Sequence, residues 1–191
     1  MNATLASLEV WVDDRFVCVK IAGRAGCACS VDFRTLLLGL RDKGHKRFIL
    51  DLTKCQLMDS TFLGVLAGLG IRFSEGPNGN PSASIELLNP SSRISGLLEN
   101  LGVAENFKVL NGAAVQTDKL KQVESSPSNP GTEELQRTCL EAHKFLIQLN
   151  PKNAPKFKDV CKFLEEDLNG LGRKNGSPQS SLPDKPPPNP A

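Results

Sequence analysis

The chain has 191 residues, enough for one domain of ordinary size plus an extension. Its 23 basic residues nearly balance its 21 acidic ones, so charge asks for neither a nucleic-acid partner nor a membrane surface. There is no run of about 20 apolar residues to cross a bilayer, and Met1 to Val10 lack a basic stretch followed by an apolar one, so no secretory leader is expected and a cytoplasmic location is.

The first elements read as a β-hairpin. Residues 8–12, LEVWV, and 16–21, FVCVKI, are alternating and β-branched and flank the polar turn Asp13-Asp14-Arg15. From Val31, helical spacing puts Phe33, Leu36, Leu37 and Leu40 on one face, and Gly44 stands where a helix stops. Residues 47–52, RFILDL, form an apolar run typical of a central strand covered on both sides. A helix follows Ser60 to about Phe73, and the loop of residues 74–83 ends it. Residues 84–89 read as a strand. Pro90-Ser91-Ser92 then opens a helix carrying Ile94, Leu97, Leu98 and Leu101 on one face and stopping at Gly102, and residues 107–110 read as a last short strand. The order β-β-α-β-α-β-α-β implies helices packed on a mixed sheet.

Proline use divides the rest. Three of the thirteen prolines precede residue 127, and the other ten run from Pro127 onward. Residues 1–110 therefore read as one compact domain, 111–131 as a linker with at most a short helical turn, 132–169 as helical, and 170–191 as a Pro/Gly/Ser-rich disordered tail. Thr132 and Asn153 are candidate caps for two helices, and Gly170 is a candidate stop. Leu135, Cys139, Ala142, Leu146 and Leu149 form one apolar stripe; Phe157, Val160, Cys161, Leu164 and Leu168 form another. Such a hairpin buries too little to stand alone. Its stripes call for cover by this chain's own domain, by a second copy in a homodimer, or by a signalling partner.

The six cysteines need not pair, because cytosolic thiols stay reduced. Cys27-Ala28-Cys29 lacks the C-x-x-C spacing and a second ligand pair, so no metal and no cofactor are expected, and the thiols read as small, semi-apolar filler.

The chemistry-bearing stretch is CQLMDSTFLGVL, residues 55–66. Asp59, Ser60 and Thr61 lie where a strand gives way to a helix. Asp and Ser are both favoured helix caps. With the element order, Gly23 after the second strand and the stretch NPSSRISGLLENLGVAENF (residues 89–107), this segment resembles the STAS domain, and most of all the free-standing bacterial anti-sigma factor antagonists. The likeness covers roughly residues 5–110. The family's Asp-Ser-(Ser/Thr)-Gly-(Leu/Ile) motif is matched by Asp59, Ser60, Thr61 and Leu63, and Phe62 departs from it.

The resemblance implies an α/β fold, a STAS-type mixed sheet flanked by helices, here with a C-terminal helical hairpin. It implies a binding protein of transcription regulation, not an enzyme. Ser60 would be the phosphoacceptor, Asp59 its flanking acid and Thr61 a neighbour, with Asp59, Ser60, Thr61 and Phe62 forming the partner surface. The partners would be an anti-sigma factor that is also a serine kinase, bound by the unphosphorylated form, and a serine phosphatase. Phe62 is a partner anchor if it points out and core if it points in. The alternative is a STAS scaffold or targeting module whose serine only caps a helix.

A hydrolase is the third reading. The segment has no G-x-S-x-G elbow. Of the two histidines, His45 precedes the strand that Ser60 follows, which places it at the far end of the sheet, and His143 lies in the helical extension, at a distance from Ser60 that the sequence does not fix. No base is expected within reach of Ser60, and a serine without one is not a nucleophile. The GPNGN loop, residues 76–80, lacks the Gly-Lys-Ser/Thr end of a phosphate-binding loop.

Overall fold

The computed structural model describes residues 6–75, 81–118, 121–123 and 129–174. Its elements run β1 (Ser7–Val12), β2 (Val17–Ala25), α1 (Cys27–Asp42), β3 (Arg47–Asp51), β4 (Cys55–Met58), α2 (Ser60–Ser74), β5 (Ser84–Leu88), α3 (Ser92–Leu101), β6 (Lys108–Leu110), β7 (Lys121–Val123), α4 (Thr132–Leu149) and α5 (Ala154–Lys174). The strands form one mixed sheet in the order β6-β5-β3-β2-β1-β7, with β4 beside the end of β2. β2, β3, β5 and β6 are parallel, and β1 is antiparallel to β2. The expected class, a mixed sheet flanked by helices with a helical hairpin at its end, is the one the chain adopts.

The core follows from the apolar runs. β3 is buried from Phe48 to Asp51, as its position between β2 and β5 requires. Phe33 of α1, Phe48, and Phe62 and Phe73 of α2 are fully buried, and Phe33 and Phe62 meet with ring centres 4.8 Å apart. α2 is buried along most of its length, with ten buried residues, because α1, β5 and α4 all pack against it.

Sequence expectations change at several points. α1 begins at Cys27, four residues before Val31, and Val160 of the second stripe is exposed. β4 was not expected: it pairs with β2 through a bulge at Gly23, whose φ of 79° needs a glycine, so Gly23 lies inside β2 and not after it. Residues 121–123, in the stretch read as linker, form β7 and pair antiparallel with β1 at the sheet edge. Gly131, not Thr132, is the cap residue of α4. Asn153 does not cap α5. It is buried in the turn between α4 and α5, where its amide donates to Leu101 O and Leu146 O, both at 2.9 Å. Gly170 does not stop α5, which continues to Lys174. The expected disordered tail, beyond that helix, and the GPNGN loop lie outside the described residues.

The hairpin lies on this chain's own body. α4 crosses α2 and contacts α1, and α5 packs on α4. Gly64 allows the crossing: a Cβ there would stand 2.7 Å from Ala142 O and 2.8 Å from Ala142 Cβ. The buried face of α4 is Thr138, Ala142, His143 and Leu146. That face is turned from the apolar stripe: Leu135, Cys139 and Leu149 are only partly buried, while two polar residues are inside.

Candidate functional site

The site is the junction of four elements: the start of α1, the end of β4, the start of α2 and the middle of α4. Asp59 organises it. Its N–H bonds to Ala25 O at 3.0 Å, fixing the turn out of β4. Its carboxylate accepts from Phe62 N at 2.8 Å and from Cys27 N at 3.0 Å. One side chain thus caps α2 and also satisfies the first N–H of α1. Gly26 makes room for it, since a Cβ there would lie 2.7 Å from Asp59 Oδ2.

With Asp59 as the cap, Ser60 is the first residue of α2 and its hydroxyl is not needed for the helix. It is half-buried, and Ser60 Oγ lies 2.8 Å from His143 Nε2. The His143 ring is held on three sides. Nε2 meets Ser60, Nδ1 faces Cys139 Sγ at 3.4 Å, and Phe157 of α5 covers one face with ring centres 4.7 Å apart. A ring that donates through Nδ1 to sulfur presents Nε2 as acceptor to the serine. Thr61, 4% exposed, donates to Cys139 Sγ at 3.3 Å, and the Cys27 thiol donates to Leu135 O at 3.6 Å, one turn before Cys139. The neighbouring Cys27 thiol, then the His143 contact, hold the Cys139 thiol below its ordinary range, against the opposing effect of burial. The nearness of Cys139 pushes Cys27 up.

The expected site residues therefore part ways. Asp59 and Ser60 are partly open and polar; Thr61 is buried against α4. Phe62 is 0% exposed and packs on Phe33, so it is core and offers no face to a partner here. The expectation of no base near Ser60 is overturned by His143, which reaches it from 83 residues away in sequence. Sequence reasoning also missed Gly26, Cys27, Cys139 and His143. Gly64 was the available signal: a glycine inside a helix costs about 1 kcal/mol relative to alanine and asks for a packing reason.

Beside the junction, a cavity of about 210 Å³ lies between α1, α2 and α4. Ligand sites run to roughly 300–1,000 Å³. Arg34, on its wall, is already paired with Glu141 at 3.1 Å and Thr138 at 3.4 Å. Neither Ser60 nor His143 lines it. Among the described residues, no group of three His, Cys, Asp or Glu side chains is placed to hold a metal ion, and no helix is long and apolar enough to cross a membrane.

No protein-family model matches the chain, and no curated protein does. In structure the chain is similar to an anti-sigma factor antagonist. The unphosphorylated form of SpoIIAA shares 18% identity at a TM-score of 0.47, covering 57% of this chain and 89% of that one. The phosphorylated form of SpoIIAA, described as a Bacillus cell fate determinant, shares 19% identity at a TM-score of 0.45, covering 57% and 92%.

Proposed function

We propose that this chain is a phospho-switched binding module, an anti-sigma factor antagonist whose unphosphorylated form binds an anti-sigma factor with serine-kinase activity. Phosphorylation of Ser60 releases that partner, and a serine phosphatase resets the switch. The observation that carries this reading is the division of labour at the motif. Asp59 does the capping, which leaves Ser60 with a hydroxyl that the helix does not use. The start of a helix is also where a phosphate costs least, because unpaired N–H groups and the positive end of the dipole face it. A phosphate would add about −1.5 to −2 charge beside Asp59, enough to repel an acidic or apolar docking surface.

The geometry adds a condition. Ser60 is bonded to His143, so a kinase reaches the hydroxyl only when that contact opens. The same contact favours a second reading, a scaffold whose serine is held internally and never modified. The Ser60–His143 pair is also half of a nucleophile's equipment, but α4 lies over it and the neighbouring cavity does not reach it. Intact mass and site mapping on protein purified from its native cells separate the readings. One phosphate on Ser60 in part of the population is the expected result. Unmodified Ser60 under every growth condition leaves the scaffold. A further check is Ser60→Asp, which should keep the fold and weaken partner binding, whereas Ser60→Ala should bind constitutively.

A further inference from the structure

Cys139 meets two polar groups from two other positions. The Thr61 hydroxyl donates to its sulfur at 3.3 Å, and His143 Nδ1 lies 3.4 Å away. Cys27 comes from the first turn of α1, and its sulfur lies 3.6 Å from Leu135 O, one turn before Cys139 on α4. The Cys27 thiol thus meets α4 one turn from Cys139, at the seam that joins the hairpin to the body. Both are partly exposed, whereas Cys18, Cys55 and Cys161 are buried. Cys29, two residues from Cys27, turns its sulfur back to Gly26 O at 3.2 Å.

We propose that Cys139 and Cys27 are a hydroperoxide-responsive thiol pair, with Cys139 the thiol oxidised and Cys27 the thiol that resolves it, yielding a disulfide that staples α4 to α1. The Thr61 hydroxyl and the His143 ring on one sulfur stabilise the thiolate, the nucleophilic form. The other thiols go the opposite way: burial pushes Cys18 up to about 11 and also raises Cys29, Cys55 and Cys161.

The chemistry balances in two steps. The Cys139 thiolate attacks one oxygen of the hydroperoxide. An S–O bond forms, the O–O bond breaks, and the departing oxygen takes a proton from solvent and leaves as water or alcohol. Cys139 is then a sulfenic acid. Cys27 loses its proton to solvent and attacks that sulfur; the S–S bond forms, the S–O bond breaks, and the hydroxyl leaves as water. Two thiols have been oxidised and one peroxide reduced. His143 lies one turn beyond Cys139, so the staple holds α4 over Ser60 whatever Ser60 does.

The test is to titrate the reduced full-length chain with hydrogen peroxide, quench by alkylation, and read intact mass and peptide maps. The expected product has lost two hydrogens and contains one cross-linked peptide, Cys27 to Cys139. Cys139 should react at least about tenfold faster than Cys55 or Cys161, as an activated thiolate does. Cys27→Ser should stop at a Cys139 sulfenic acid that a cyclic dione traps, and Cys139→Ser should leave Cys27 reduced. Thr61→Val keeps both thiols and removes one donor; it should slow Cys139 several-fold while the same disulfide still forms. This last variant carries the test if a cysteine substitution disturbs folding. A Cys29 linkage, scattered oxidation, or a Cys139 no faster than Cys161 would overturn the proposal.

Discussion

The body and the hairpin are held together by different chemistry. The body, from β1 to β6, is organised around fully buried Phe33, Phe48, Leu50, Phe62, Leu66 and Leu87, in a core that is almost entirely apolar. The face α4 presents to it is half polar: Thr138 and His143 are buried beside Ala142 and Leu146. Apolar burial is non-directional and changes little with small displacements. Directional hydrogen bonds and a tight helix crossing are lost together once the helices part. The lesson is that α4 joins the apolar core through Ala142 and Leu146 and adds directional bonds to it through Thr138 and His143.

Substitutions can break or sharpen that contrast. The largest effect is expected from the body. Phe48→Ala should cost about 3–5 kcal/mol and unfold hairpin and sheet in one transition, read by chemical denaturation with two probes. An α4–α5 hairpin that survives the loss of the sheet would reverse the hierarchy. Asn153→Ala should cost about 1–3 kcal/mol, because Leu101 O loses its side-chain donor inside the protein and Leu146 O keeps only Asn150 N. Its damage should appear first as faster amide exchange in α4 and α5. Gly64→Leu forces a side chain into Ala142 and should cost the seam about 1–3 kcal/mol. Exchange protection should fall in α4 and α5 and persist in β3 and β5; uniform loss would mean that the seam is part of the core. The smallest effect is expected from Ser60→Ala, about 0.5–1.5 kcal/mol for one hydrogen bond. It should be visible as a changed His143 ring signal in nuclear magnetic resonance, with little change in melting temperature.

The body was legible because its information is local. Alternating runs gave β1 and β2, helical spacing gave α1 and α3, and Ser91 and Gly102 marked the ends of α3 as caps, with Gly102 at a φ of 72°. Two short strands escaped for a physical reason. β4 and β7 have four and three residues, and their pairing is set by the bulge at Gly23 and by the free edge of β1, neither of which is a property of the segment itself. At the site, the Asp59-Ser60 junction was visible as a cap signal. His143 was not, because counting apolar residues along α4 assigns histidine and threonine to the solvent side. Only the approach of α4 to Gly64 brings His143 to Ser60. Asn153 misled in the same way: a residue type that favours caps was used instead to tie Leu101 to Leu146.

The pairing of β7 with β1 has a consequence for any opening of the seam. Val123 is fixed to Val10 at the sheet edge, and α4 begins at Thr132. Only residues 124–131 lie between these points, a contour of at most about 30 Å. A hairpin that lets go of Ser60 therefore stays within that radius, at an effective concentration on the order of millimolar. A competitor for the same surface faces a built-in ligand at that concentration, and its apparent affinity is weakened accordingly. Melting the β7 pairing would lengthen the tether and dilute the hairpin without altering one atom of the seam. If the hairpin opens, the short edge strand sets the tether length and so how readily Ser60 is exposed.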